Sequence, residues 1–125
     1  QLTLERVLGG LLQPLAWALG IPWDEAQLAG SLIGQKFILN EFVAYVTYSE
    51  VAGQLSPHSQ AIVIFSLCGF ANLSSIAILL GGLGAVAPGR RDDISRYGFR
   101  ALIAASLSNL MSAALAGFFL TLGAA

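Results

Sequence analysis

Residues 26–53 have the sequence AQLAGSLIGQKFILNEFVAYVTYSEVAG, an apolar stretch that Lys36, Asn40 and Glu41 interrupt near its middle. A single straight helix would carry the Glu41 carboxylate into the centre of a hydrocarbon layer, at a cost of several kcal/mol. Two short helices that meet at Asn40 and Glu41 avoid this cost, but each would be about 20 Å long, whereas the hydrocarbon core is about 30 Å thick. The stretch therefore predicts a re-entrant hairpin, whose tip is buried in protein or faces a water-filled cavity.

The whole chain is too apolar for a water-soluble monomer. Its 125 residues are 56% hydrophobic and 10% charged, whereas an average soluble domain carries about 25% charged residues. The high hydrophobicity excludes a disordered chain, and a net charge of −1 provides no basic surface for nucleic acid. A single cysteine, Cys68, excludes a disulfide framework or a cysteine-rich metal site. We therefore expect a membrane protein in a lipid bilayer, with no cofactor, no metal site and no nucleic-acid partner.

Two long uncharged stretches, residues 51–89 and 101–125, each exceed the roughly 20 apolar residues that a membrane-spanning helix needs. Within the first stretch, residues 68–75 read CGFANLSS. Glycine followed by polar residues weakens a helix at mid-membrane depth, and the unwound backbone exposes groups that a substrate or an ion often satisfies. We therefore predict a discontinuous transmembrane helix over this segment.

The fold class that follows is an all-α membrane protein, in which transmembrane helices are combined with a re-entrant helical hairpin and a broken, unwound helix. We predict four units in chain order: a transmembrane helix and outer turn (1–25), the re-entrant hairpin (26–55), the discontinuous transmembrane helix (56–89), and a cytoplasmic loop with the last transmembrane helix (90–125). The chain starts with Gln and shows no secretory leader, so we expect it to be the C-terminal part of a longer protein.

Clustered arginines set the predicted orientation in the membrane. The loop 88–100 contains Arg90, Arg91, Arg96 and Arg100, and positive charge favours the cytoplasmic side. The last helix then leaves the C-terminus outside, and the hairpin enters from the outside. The first helix begins inside, which places Arg6 on the cytoplasmic side as well.

Glu41 is the strongest candidate for a functional residue, together with its neighbour Asn40. A carboxylate at the start of a short helix is favoured by the helix dipole, and in a sheltered cavity it accepts hydrogen bonds from hydroxyl groups such as those of a sugar. It also suits a cation or a proton as its ligand. The alternative is a salt bridge with Lys36 or with a distant arginine. Gln35 and Lys36 are further polar groups near the tip, where Lys36 either extends toward water or pairs with a carboxylate.

Phe70, Asn72 and Ser75 form the second candidate group, at the predicted helix break. Asn72 offers hydrogen-bond donors and acceptors, Ser75 offers a hydroxyl, and the Phe70 ring suits stacking on a flat ring. The alternative is that the polar groups only join helices, as Ser and Asn often do in membranes. Cys68 is expected to be a small buried packing group, and Tyr45 an interfacial aromatic residue. The sequence contains no nucleophile elbow, metal-binding spacing or phosphate-binding loop, so we expect no enzyme.

Two long motifs resemble those of concentrative nucleoside transporters. Residues 34–45, GQKFILNEFVAY, are similar to the hairpin-tip signature of that family, and residues 66–72, SLCGFAN, are similar to its ALCGFAN motif. Further stretches match the family pattern: GGL at 81–83, APGRRDD at 87–93, and NLMS at 109–112 followed by AGF at 116–118. The resemblance covers essentially the whole chain, as the C-terminal domain of a bacterial member.

The resemblance implies a homotrimeric transporter in the bacterial inner membrane, which imports nucleosides by symport with sodium or protons through an elevator-like motion. Glu41 then corresponds to the hairpin glutamate that hydrogen-bonds the ribose hydroxyls, and Asn40 shapes the tip. Asn72 and Ser75 correspond to the residues that hold the ribose, and Phe70 to the residue beside the nucleoside.

The resemblance also implies that part of the site lies outside this chain. In the family, elements that precede residue 1 bind the coupling ion and make most contacts with the base, so the N-terminal half of the same transporter is an expected partner. The resemblance gives no substrate role to Gln35 or Lys36. On the residues alone, two other functions stay open: an ion-translocating channel subunit that uses Glu41 as a proton or cation site, and a structural membrane subunit with polar helix contacts.

Overall fold

The computed structural model describes residues 3–123, and every regular element in that range is helical. The helices, in chain order, are α1 (Leu4–Ala18), α2 (Trp23–Ile38), α3 (Glu41–Val51), α4 (Pro57–Leu67), α5 (Leu73–Val86) and α6 (Arg91–Gly123). Short 3₁₀ turns at Ala52–Gln54 and Pro88–Arg90 follow α3 and α5. The predicted all-α class is therefore confirmed.

Four of these helices are short and form two consecutive pairs, α2 with α3 and α4 with α5. Their lengths of 16, 11, 11 and 14 residues correspond to about 16–24 Å, which is less than the thickness of a hydrocarbon core. The first pair is interrupted at Leu39 and Asn40, and the second pair at residues 68–72. Both interruptions fall where the sequence predicts them.

Asparagine side chains start the second helix of each pair. Asn40 Oδ1 accepts a hydrogen bond from the backbone N–H of Val43 at 2.9 Å, and Asn72 Oδ1 accepts one from the backbone N–H of Ser75 at 2.9 Å. Such N-caps satisfy backbone donors that have no partner inside the helix and contribute about 1 kcal/mol each. The two asparagines therefore help to set where α3 and α5 begin, which places Glu41 in the first turn of α3.

α6 and α1 differ in their ability to cross a membrane. Within the described range, Pro88–Gly123 is the one helical stretch that is long and apolar enough to cross a membrane. Of its most apolar part, 17% is buried within the molecule. α1 has 15 residues and contains Pro14, which gives a length of about 22 Å. It ends before a turn in which Gly20 adopts a φ of +103°, a conformation that residues with a side chain rarely adopt. α1 therefore fills only part of the unit predicted over 1–25.

The core lies around α2, which packs mainly against α1, whereas α4 packs against α6. Leu32 and Ile33 of α2 are fully buried, and so are Ile62 and Val63 of α4. The largest fully buried side chain in the described range is that of Lys36, at the end of α2. A lysine side chain thus lies within a mostly apolar core that also contains buried polar side chains such as Gln35 and Ser66.

Glu25 joins the start of α2 to the start of α4. Its carboxylate accepts hydrogen bonds from the backbone N–H of Ser56 at 3.1 and 3.2 Å and from Ser56 Oγ at 3.0 Å. Partial burial raises the pKa of Glu25, but hydrogen bonds from Ser59 and Ser56 outweigh this effect, so its pKa lies below the usual value. The ionised form therefore stabilises the fold above the usual pKa of glutamate, and this contribution is lost as the pH falls through the lowered pKa.

Glycines allow α1 and α2 to approach each other closely. A Cβ atom at Gly30 would lie 2.9 Å from the carbonyl carbon of Leu12 and 3.0 Å from the backbone nitrogen of Gln13. A Cβ atom at Gly34 would lie 2.8 Å from Leu8 Cβ. These distances are shorter than van der Waals contact, so a side chain at either glycine would push the helices apart. Small residues at helix interfaces are the usual means of close packing in membrane proteins.

We expect Gly30→Ala to destabilise the fold, because the added methyl group meets backbone atoms of α1 rather than a movable side chain. Overpacking of this kind costs about 1–3 kcal/mol, and the variant should show a lower Tm in detergent. Gly10→Ala is the matched control, since Gly10 lies in α1 with open space where its Cβ would be, and alanine favours helix. Equal Tm values for the two variants would contradict the close packing of α1 and α2.

Candidate functional site

The two helix interruptions lie next to each other in space. Asn72 Nδ2 donates a hydrogen bond to Glu41 Oε2 at 3.4 Å, and Ser74 Oγ donates one to the Leu39 carbonyl at 3.0 Å. The first of these contacts is long for a hydrogen bond and therefore weak. The starts of α3 and α5 thus converge at one place.

The interruption between α4 and α5 is held by its own side chains. Asn72 Nδ2 also donates to the Phe70 carbonyl at 3.2 Å, and Ser75 Oγ donates to the same carbonyl at 2.7 Å. Asn72 is 6% exposed, whereas the side chain of Phe70 is 77% exposed. The polar groups of this segment are therefore fixed, while the Phe70 ring projects from the surface.

All five sequence-predicted site residues, Asn40, Glu41, Phe70, Asn72 and Ser75, line one open cavity. Its volume is about 640 Å³, and its lining residues are Asn40, Glu41, Phe42, Phe70, Asn72, Ser74, Ser75, Ile78 and Leu79. Glu41 is the only charged residue among them and stands in the first turn of α3, where the helix dipole favours an anion. Ile78 and Leu79 make the α5 side of the cavity apolar. A cavity of this size with a few convergent polar groups suits a small organic molecule of mixed polarity.

Lys36 does not pair with Glu41 in this structure. Its ammonium group donates hydrogen bonds to the Ser66 carbonyl at 3.1 Å and to Asn109 Oδ1 at 2.6 Å, and its side chain is fully buried. Lys36 therefore neither extends toward water nor pairs with a carboxylate, the two positions that the sequence suggests for it. The Glu41 carboxylate is left to face the cavity and Asn72.

Sequence reasoning missed two residues close to the site and placed a third one wrongly. The hydroxyl of Tyr45 donates to the Ile64 carbonyl at 3.0 Å and lies 3.2 Å from Cys68 Sγ, so Tyr45 joins α3 to the end of α4. Tyr45 lies four residues after Glu41 and therefore on the same helix face, and this spacing is the sequence signal that could have identified it. Asn109 is the first residue of the NLMS stretch at 109–112, which matches the family pattern but suggested no role for this residue. Cys68 is exposed rather than buried, because it follows the last residue of α4 at the interruption.

Interrupted helices that meet at a cavity with a few polar groups are an architecture found in secondary membrane transporters. The family model described as the Na⁺ dependent nucleoside transporter C-terminus matches residues 1–117. The putative nucleoside permease NupX of Escherichia coli is 55% identical over 123 residues, which cover 96% of this chain and 30% of the relative. The uncharacterized transporter YutK of Bacillus subtilis is 54% identical over 118 residues, which cover 94% of this chain and 29% of the relative.

A solved structure of CNTnw, in an inward-facing substrate-bound state, superposes on this chain with a TM-score of 0.92 at 55% identity. The match covers 96% of this chain and 30% of that one. The chain therefore belongs to the Na⁺-dependent nucleoside transporter family and is a membrane protein, and the family resemblance of its motifs is confirmed. It spans about 30% of the length of these relatives and matches their C-terminal region.

Proposed function

We propose that this chain supplies the ribose-binding half of a nucleoside site, in a transporter that couples nucleoside uptake to sodium or protons. The observation that carries the proposal is the meeting of Glu41 and Asn72 at a cavity between two helix interruptions. The similarity to a putative nucleoside permease supports nucleosides as the substrate class.

The chemistry of the cavity fits the two neighbouring hydroxyl groups of a ribose. An ionised Glu41 only accepts hydrogen bonds, and bonds from hydroxyl groups to a carboxylate are short and strong. Asn72 adds a donor through Nδ2, and its contact with Glu41 at 3.4 Å is long enough to give way to shorter bonds with a ligand. The exposed Phe70 ring offers a flat apolar surface beside which a nucleobase stacks.

The proposal includes the setting of the chain in the membrane. The complete transporter lies in the bacterial inner membrane as a homotrimer, with the loop 88–100 cytoplasmic and the C-terminus outside. The re-entrant hairpin, α2 with α3, enters from the outside. The N-terminal half of the same transporter supplies the binding of the coupling ion and most contacts with the base. The arginine cluster of the loop supports this orientation.

We expect Glu41→Gln to weaken nucleoside binding by about 10- to 100-fold, since hydrogen bonds to a charged group contribute about 1.5–3 kcal/mol each. The measurement is equilibrium binding of labelled uridine and adenosine to the complete transporter that contains this chain. Glu50→Gln is the matched control, because Glu50 is an exposed carboxylate on the same helix. The Glu50→Gln variant should bind both nucleosides with the affinity of the unchanged protein.

Unchanged nucleoside affinity in Glu41→Gln would exclude the ribose-binding role. The alternative function is an ion- or proton-translocating channel subunit that uses Glu41. It would be favoured if the unchanged protein conducts ions without nucleoside and Glu41→Gln abolishes this flux. Uptake into proteoliposomes under separate sodium and proton gradients identifies the coupling ion.

Two substitutions of Asn72 separate its role in the site from its role as a helix cap. Serine is an equally good N-cap, so Asn72→Ser should keep the Tm close to that of the unchanged protein. It removes the amide that donates to Glu41 and to the Phe70 carbonyl, which Ser75 Oγ still contacts. We expect nucleoside affinity to fall about tenfold, which corresponds to the loss of roughly one hydrogen bond. Asn72→Ala removes the cap as well and should lower both the affinity and the Tm. Full affinity in Asn72→Ser would mean that Asn72 serves only as a cap.

A further inference from the structure

Lys36 is a buried charge that the proposed nucleoside site leaves unexplained. Its side chain is 0% exposed, and it lies in the last turn of α2, three residues before Leu39, where the interruption begins. Burying an ammonium group in an apolar core costs several kcal/mol unless hydrogen bonds and opposite partial charges surround it. The hydrogen-bond partners of the Lys36 ammonium group therefore indicate the role of this buried charge.

Both partners of the Lys36 ammonium group lie at or beside the C-terminal end of α4. Nζ donates to the carbonyl of Ser66 at 3.1 Å and to Asn109 Oδ1 at 2.6 Å, and Asn109 Nδ2 donates in turn to the carbonyl of Phe65 at 2.8 Å. The last four carbonyls of a helix have no partner inside it, and that end of the helix carries partial negative charge. A cation is therefore favoured where Lys36 places one.

A third side chain completes this arrangement. The Tyr45 hydroxyl donates to the carbonyl of Ile64 at 3.0 Å. Consecutive carbonyls of Ile64, Phe65 and Ser66 are thus satisfied by side chains from α3, α6 and α2, respectively. We refer to Lys36, Asn109 and Tyr45 as the α4 cap. Lys36 is its only charged member.

The α4 cap lies directly against the backbone that leads to the cavity. A Cβ atom at Gly69 would lie 2.8 Å from Asn109 Oδ1 and 3.2 Å from Lys36 Nζ, so a larger residue at this position would require these two side-chain ends to shift. Phe70 follows Gly69 directly and Asn72 comes three residues after it, and both side chains line the cavity. The position of the Lys36 ammonium group therefore fixes the end of α4 and, through Gly69, the segment that carries these two side chains.

We propose that Lys36 is a positioning residue for nucleoside binding: a tethered cation that caps α4 and holds Phe70 and Asn72 in their binding arrangement. The inference rests on the proposed function. Lys36 acts through the backbone of α4 and makes no contact with the ligand. Without the charge, the end of α4 moves among several arrangements, of which only a fraction places Asn72 opposite Glu41.

The test compares Lys36→Met with Gln35→Met in the complete transporter that contains this chain. Methionine keeps an unbranched, buried side chain but removes the charge. Gln35 is the neighbouring buried polar residue, and its contacts run to Ser31 and Thr47 within α2 and α3 rather than to α4 or α6. Equilibrium binding of labelled nucleoside gives both the Kd and the number of binding sites per folded protein.

We expect Lys36→Met to raise the Kd about tenfold or more, because a binding-competent arrangement populated one tenth of the time weakens apparent affinity tenfold. The number of sites should stay unchanged, and Gln35→Met should change the Kd less than about threefold. A loss of sites at unchanged Kd would indicate that Lys36 only stabilises the fold. An unchanged Kd in Lys36→Met, or equal effects of the two substitutions, would also overturn the inference.

Gly69→Ala provides a second variant if Lys36→Met does not fold. Its methyl group displaces the Lys36 ammonium group and Asn109 without removing either, and it should raise the Kd to a similar extent. A Gly69→Ala protein with unchanged Kd would overturn the inference. Failure of the proposed function is distinct, since the unchanged protein would then bind no nucleoside, or Glu41→Gln would bind it with unchanged affinity. If the unchanged protein binds nucleoside, Glu41→Gln weakens this binding and Lys36→Met leaves it unchanged, the inference about Lys36 alone fails.

Discussion

A helix that is interrupted inside an apolar molecule leaves backbone N–H and C=O groups that water does not reach, and each unpaired group costs several kcal/mol. Residues 3–123 contain two such interruptions, and side chains satisfy the helix ends that they create. Asn40 and Asn72 cap the starts of α3 and α5, and the α4 cap satisfies the end of α4. Within residues 3–123, no buried side-chain nitrogen or oxygen lacks a partner.

The same constraint produces the candidate site. Because both interruptions need polar side chains and lie next to each other, Glu41 and Asn72 come together beside a cavity in a chain that is otherwise apolar. One set of contacts, that between Asn72 and Glu41 on the cavity side, is long at 3.4 Å, whereas another, that between Lys36 and Asn109 beside α4, is short at 2.6 Å. The first set suits a ligand that arrives and leaves. The second set suits a framework that keeps its conformation while a ligand binds and dissociates.

The sequence predicts the positions of the interruptions well, because a polar residue in an apolar run is a local signal. Asn40 with Glu41, and the segment 68–75, each mark a break without reference to the rest of the fold. The family resemblance then identifies the candidate site residues, and the structure brings them around one cavity. How those residues contact a nucleoside stays a prediction.

The surroundings of Lys36 are not predictable in this way. Its partner Asn109 is 73 residues away along the chain, and no periodicity connects two positions so distant. A lysine near a hairpin tip is expected to extend toward water. Only the positions of α4 and α6 next to α2 show that its ammonium group donates to a backbone carbonyl instead. The exposure of Cys68 also depends on tertiary structure, because it follows from the place where α4 ends.

The central claim is that Glu41 recognises the ribose hydroxyl groups. The most direct measurement is a comparison of a nucleoside with its 2′,3′-dideoxy analogue, each bound to the complete transporter with Glu41 and with Glu41→Gln. The account predicts that the unchanged protein prefers the nucleoside by about tenfold or more, and that Glu41→Gln loses most of this preference, since the hydroxyl groups and the carboxylate interact with each other. An undiminished preference for the nucleoside in Glu41→Gln would contradict the account.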